Sequence, residues 1–210
     1  MMEDMHIPLE IQMSAEHLCQ EITQDTDRLY RDTVVPALEA LADEQDDPNL
    51  GPSGYEVIYG PPIVNARAFF IGFQPGGGVD HGEWAQPAEC SPVWPIETTY
   101  AVQEWKLARV MRGIYGADFL HGCTGSNCQF FRASSDATYG MWPSGLRIKT
   151  AEFSKAKLSK LIEALAPRKI VFIGKRAMLS LVEDITTTLT GADGRFLIGE
   201  GNFNNIPAIG

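Results

Sequence analysis

The stretch that most constrains this chain is Ala66–Gly78, ARAFFIGFQPGGG. Ala68, Phe69, Phe70 and Ile71 are apolar on successive residues, so the run has no polar face. A strand of that kind is buried on both sides, as in the centre of a parallel sheet. Gly72 ends the run, Gln74 stands between Phe73 and Pro75, and three glycines follow. Pro75 and Gly76–Gly78 cannot extend a strand; they predict an open loop whose bare backbone lets a ligand approach closely. Ligands of open α/β sheets bind at the carboxyl ends of strands, which is where Gln74 falls. An active site is expected here.

The remaining pattern alternates helix and strand. Glu16–Ala42 carries Leu18, Ile22, Leu29, Val34, Leu38 and Leu41 at a helical rhythm, broken or restarted at Pro36. Tyr55–Tyr59 reads as a short strand or an extended approach. Val79–Pro95 is irregular and holds Asp80, His81, Glu83, Trp84 and Trp94; Asp80 with His81 has the plainer reading of a surface turn. Thr98 or Thr99 is expected to cap a helix over about Tyr100–Tyr115 that buries Val102, Trp105, Leu107, Val110, Met111 and Ile114. A second strand is predicted at Ser126–Arg132, then a polar loop at Ala133–Gly145 and an amphipathic helix at Glu152–Leu165. Arg168–Gly174 is the third strand, followed by a helix over about Lys175–Thr188 and short strands at Arg195–Ile198 and Ile206–Ile209. This order predicts a three-layer α/β/α sandwich around a central, mainly parallel sheet of about four strands. All 210 residues are expected to form one domain, with a helical segment at about 14–45 and a core from about 55.

Charge and cysteines narrow the function classes. A net charge of −10 argues against a non-specific binder that grasps a nucleic-acid backbone, though a local basic patch remains compatible with it. Cys19, Cys90, Cys123 and Cys128 include one C-x4-C pair and no C-x2-C, which favours free buried thiols over a metal or cluster site. The four histidines are too dispersed for a metal claim. No apolar run approaches the roughly 20 residues of a membrane span, so no membrane partner is expected. The acidic start, MMEDMHIPLE, lacks a basic-then-apolar leader, so a cytoplasmic protein is expected.

Several α/β chemistries lack their motifs. Gly174-Lys175 has neither the upstream glycine spacing nor the following Ser/Thr of a phosphate loop. The loop after the first strand is not G-x-G-x-x-G. There is no G-x-S-x-G elbow and no zinc-deaminase pattern.

What remains is G-F-Q-P-G at Gly72–Gly76 together with Asn127, which precedes Phe130 and Phe131. At these residues the chain resembles the uracil-DNA glycosylase superfamily, whose first motif, G-x-[D/N/E/A]-P-[Y/G], ends the first core strand. A later strand of that family carries an Asn that reads the edge of the flipped base. The match is nearest to the mismatch-specific and single-strand-selective branches, and IVFIGKRAMLSLV is similar to the family's third strand and helix. The resemblance runs from about Ala66 to Val182 as short motifs in matching order.

Carried over residue by residue, Gly72 would give a tight turn, Gln74 the attacking water's position, and Pro75 a stiff loop. Phe73 would line the site. Gly76 stands where some branches use a tyrosine against thymine's methyl group, which implies a roomier pocket. Asn127 would read the base, and Trp84 or Trp94 would stack on it. The resemblance implies DNA as partner, a monomer, and no metal or other cofactor.

Three departures accompany it. Gln74 can hydrogen-bond a water but cannot take its proton, so a low rate is expected. The family's His-Pro-Ser type loop after the last core strand has no counterpart by Gly210, and His121 is not at the matching position. The cysteine spacing is not that of the iron–sulfur branches.

The residues also allow plainer roles. Gln74 could cap a turn, the glycines could reverse the chain, and Asn127 could bond a neighbouring strand end. Two further readings stay open: a non-catalytic relative that binds a nucleobase or nucleotide, and an unrelated doubly wound enzyme whose glycine loop binds phosphate.

Overall fold

The computed structural model describes residues 8–75, 93–192 and 196–210. The expectations for Gly76–Gly78, Asp80, His81, Glu83, Trp84 and Cys90 lie outside these residues.

The chain opens with α1 (Leu9–Leu29), a π-helical turn (Tyr30–Val34) and α2 (Val35–Gln45). Pro36, at the start of α2, has no N–H to give to a regular helical ladder, and the wider turn before it carries the chain through without a break. Strand β1 (Phe69–Gly72) follows, then α3 (Thr99–Val102), α4 (Lys106–Tyr115), α5 (Ala117–His121) and β2 (Thr124–Asn127). Next come α6 (Asp136–Met141), α7 (Ser144–Leu165), β3 (Ile170–Phe172) and α8 (Lys175–Leu181). The last elements are β4 (Thr186–Thr190), β5 (Phe196–Phe203) and β6 (Ile206–Ile209).

The fold is mixed α/β around one mostly parallel sheet, in the order β2-β1-β3-β6-β5-β4. The pairs β1–β2, β1–β3 and β3–β6 are parallel, whereas β4–β5 and β5–β6 are antiparallel. Among the described residues the sheet has six strands, against the expected four or so. Of these, β4 comes from a stretch expected to be helical: α8 stops at Leu181, and the β-branched run Thr186-Thr187-Thr188 takes an extended path. Asn204 and Asn205, at φ of 50° and 61°, turn β5 into β6 as a two-residue hairpin loop.

Strand β1 is central, as its pattern requires. Phe69 and Ile71 enter one core cluster with Ile22, Leu38, Leu158 and Ile162; Ala68 and Phe70 enter a second with Tyr100, Met111 and Leu120. Phe69, Phe70 and Ile71 are all fully buried, each contributing roughly 1.5–3 kcal/mol of apolar burial. Helix α7 lies over the first of these clusters with a stripe of Leu146, Thr150, Ser154, Leu158, Leu161 and Leu165. It starts eight residues before the predicted Glu152, and α6 occupies part of the predicted polar loop.

Three further expectations are corrected. Strand β2 is Thr124–Asn127 rather than Ser126–Arg132; the apolar CQFFR continues past it, with Tyr55 bridging Phe131. The helix at 100–115 is two pieces, and Val110 and Ile114 are 48% and 67% exposed, because these pieces fill the second core with Tyr100, Ala101 and Met111. Thr98 precedes α3 without a side-chain cap bond, its hydroxyl donating instead to the Cys123 carbonyl.

Candidate functional site at the carboxyl edge of the sheet

Strand β1 has β2 on one flank and β3 on the other, so the chain leaves β1 in one direction and returns across it to β3. Connections that run in opposite directions open a crevice at the carboxyl ends of such strands. Gly72, Phe73, Gln74 and Pro75 emerge there from β1, Asn127 ends β2, and Gly174–Arg176 follow β3.

Gly72 and Asn127 are register partners. A Cβ on Gly72 would stand 2.5 Å from Asn127 Oδ1, closer than real contacts permit. The backbone of Gly72 is not in the left-handed region. The glycine is therefore needed to leave room for the Asn127 amide rather than to make a tight turn. Asn127 is 1% exposed and its Nδ2 donates to the Tyr59 hydroxyl. Tyr59 is held beside β2 by its own N–H, which donates to the Gly125 carbonyl at 2.8 Å. Burial, reinforced by the nearby Glu56 carboxylate and Tyr100, pushes the Tyr59 phenol well above its ordinary pKa, so it stays protonated. A neutral phenol is the anchor for the Asn127 amide.

Gln74 Nε2 reaches the Ala133 carbonyl at 3.5 Å, the long limit of a hydrogen bond. Its Oε1 is buried and has no hydrogen-bond partner among the described residues. A buried acceptor left in that condition costs on the order of 1–3 kcal/mol, so this atom is poised to accept from a ligand or water. Phe73 packs edge-on to Tyr139, with ring centroids 5.7 Å apart, and the Arg176 guanidinium lies over the Phe73 ring at 3.6 Å. Pro75 is buried and Trp94 half-buried against the main core. Gly76 and Trp84 are outside the described residues.

Behind this edge the side chains of Arg132 and Glu56 are buried against each other. Arg132 Nη2 meets Glu56 Oε2 at 3.4 Å, with side chains only 3% and 12% exposed. Burial raises the Glu56 carboxyl to about 8 against the opposing pull of Arg132. Glu56 is fixed to the chain beyond Asn127 by its N–H, which donates to the Phe130 carbonyl.

His121 ends α5, at the amino edge of β2, away from Gln74. Cys19, Cys123 and Cys128 are free and buried; desolvation lifts the first and last to about 12 and Cys123 to about 11, so they are inert thiols. Among the described residues no group of three or more His, Cys, Asp or Glu is placed to hold a metal. No described helix is long and apolar enough to cross a membrane.

The structure thus brings Gly72, Phe73, Gln74, Pro75 and Asn127 to one edge. It adds Tyr59 and Arg176, which sequence reasoning did not single out. Arg176 had a legible signal, two residues past the glycine that ends a core strand; Tyr59 had none, since its partner is 68 positions away. No protein-family model matches the chain, and no curated protein matches it significantly.

Proposed function

We propose that the chain is a base-excision N-glycosylase of the uracil-DNA glycosylase type, built as a three-layer α/β/α sandwich. The observation that carries this reading is the Gln74 Oε1 acceptor, buried and unpartnered beside the end of β1 where Asn127 closes β2. In the proposed reaction a uracil-like base is flipped to the Asn127 amide. The bond between the sugar's anomeric carbon and the base nitrogen breaks, and its electron pair leaves with the base. Gln74 Oε1 accepts a hydrogen bond from the water whose oxygen adds to that carbon. The water's surplus proton goes to solvent or the departing base, because an amide cannot take it. Positioning alone then supplies the catalysis, which implies slow turnover.

The test is release of uracil from single- and double-stranded oligonucleotides, read by alkaline strand cleavage. Wild-type release that is lost in a folded Gln74→Ala variant supports the proposal; equal release from both removes Gln74 from the chemistry.

A second reading is favoured by the same chemistry of Gln74. A side chain that is neither acid nor base serves a protein that holds a nucleobase without cleaving it. Binding of free uracil by calorimetry, with no release from any oligonucleotide, would establish that alternative.

A further inference from the structure

Arg176 lies closer over an aromatic ring than Arg67 or Lys157, the other described cations that stack on one. Its guanidinium lies 3.6 Å over the Phe73 ring and 5.5 Å from the centre of the Tyr139 ring, so it is flat and oriented. One nitrogen, Nη1, meets Asp136 Oδ2 at 3.1 Å. The Arg176 side chain is 46% exposed and that of Asp136 66% exposed. No other acceptor among the described residues engages the guanidinium. The residue follows β3 at the same crevice that receives Gln74 from β1.

A planar fork stacked on an aromatic ring has already lost most of its conformational freedom, so little more is lost when it binds an oxyanion. Carboxylate and phosphate present similar oxygen geometry to such a fork. We propose that Arg176 is the seat for a phosphate of the bound nucleic-acid strand, and that Asp136 is a built-in competitor which the phosphate displaces. The strand as occupant rests on the glycosylase reading above. Phe73 is then a positioning residue, holding the guanidinium face so that its edge is presented outward. An acidic chain with a net charge of −10 gains from this arrangement, because one oriented cation attracts a strand locally while Asp136 suppresses loose anion binding.

The test is the affinity of the whole chain for a labelled thymidine oligonucleotide without uracil, titrated across salt concentration by fluorescence anisotropy. Thymidine monophosphate and inorganic phosphate are run as competitors. Arg176→Gln should weaken the oligonucleotide and reduce the log–log salt slope by about 0.7, the value of one single-strand phosphate. Asp136→Asn should tighten it about two- to five-fold, the range of an exposed ion pair. A gain in affinity cannot arise from misfolding, so the two variants control each other. If thymidine monophosphate responds to Arg176→Gln and the oligonucleotide does not, the seat serves a free nucleotide's phosphate and the strand assignment is overturned. An unchanged slope in Arg176→Gln, no gain in Asp136→Asn, or no binding by the parent chain overturns the proposal. Base release with an unchanged slope would sink this seat and keep the glycosylase; the slope change without base release would do the reverse.

Discussion

Two glutamines on adjacent stretches of chain are treated in opposite ways. Gln129 donates its backbone N–H to the Phe73 carbonyl at 2.9 Å, one residue before Gln74. The Gln129 side chain is 2% exposed and fully engaged: Nε2 donates to the Tyr139 hydroxyl at 3.1 Å and to Thr150 Oγ1 at 2.8 Å, while Oε1 accepts from Ser154 Oγ at 2.9 Å. Ser154 in turn accepts from the Phe130 N–H. Gln74 has one long bond and a buried oxygen with none. A satisfied buried amide fixes structure, here by pinning α7 to the chain beyond β2. An unsatisfied one is a cost kept for something else.

That contrast can be broken by substitution. Gln129→Ala should cost about 3 kcal/mol in urea unfolding, because it leaves the Ser154 hydroxyl without its acceptor and opens a cavity; a loss below about 1 kcal/mol would mean the network is not structural. Gly72→Ala should cost about 1–3 kcal/mol, since its Cβ meets Asn127 Oδ1. It should also disturb any base binding that Asn127 supports, measurable by calorimetry with free uracil.

The Glu56 pair adds a pH arm behind the same wall. The carboxyl rises from 4.5 to about 8 in the folded protein, so the native state holds the proton more tightly than the unfolded chain. The stability it contributes is complete below about 4.5 and is lost as pH rises toward 8, with a slope of up to about 1.4 kcal/mol per pH unit. Glu56→Gln should therefore gain stability relative to the parent over that window; parallel pH profiles would refute it. Gln74→Ala should not lower stability, because the cost of its unpartnered oxygen goes with the side chain, while it removes any turnover. A large stability loss in Gln74→Ala would make the two glutamines equivalent after all.

The sequence carried the central strand and the loop after it because β1 is apolar on every residue and stops at glycine and proline. It carried β6 and the α7 helix for similar reasons of pattern. It did not carry β2, whose Thr124-Gly125-Ser126-Asn127 is polar yet buried. Ser126 and Asn127 are satisfied by distant partners, the Val57 carbonyl and the Tyr59 hydroxyl, so the CQFFR that follows drew the expected strand forward. The Thr186–Thr190 strand was obscured because the helical signal of α8 runs straight into it, and its partner β5 lies beyond a break in pattern. Gly72 was visible as a glycine, but its reason is the amide it faces across the ladder, which no local pattern encodes.

The packing of α1 against α7 has a consequence for how the molecule assembles. Lys157 of α7 is paired with Asp25 of α1 across 132 positions, and Lys149 reaches Thr33 across 116. One side of the central strand is therefore covered by segments that lie far apart in the chain. Closing so long an interval is entropically costly and slow relative to hairpin formation. Helix α1 is made well before α7, so its apolar stripe of Ala15, Cys19 and Ile22 lacks that cover until α7 has been made.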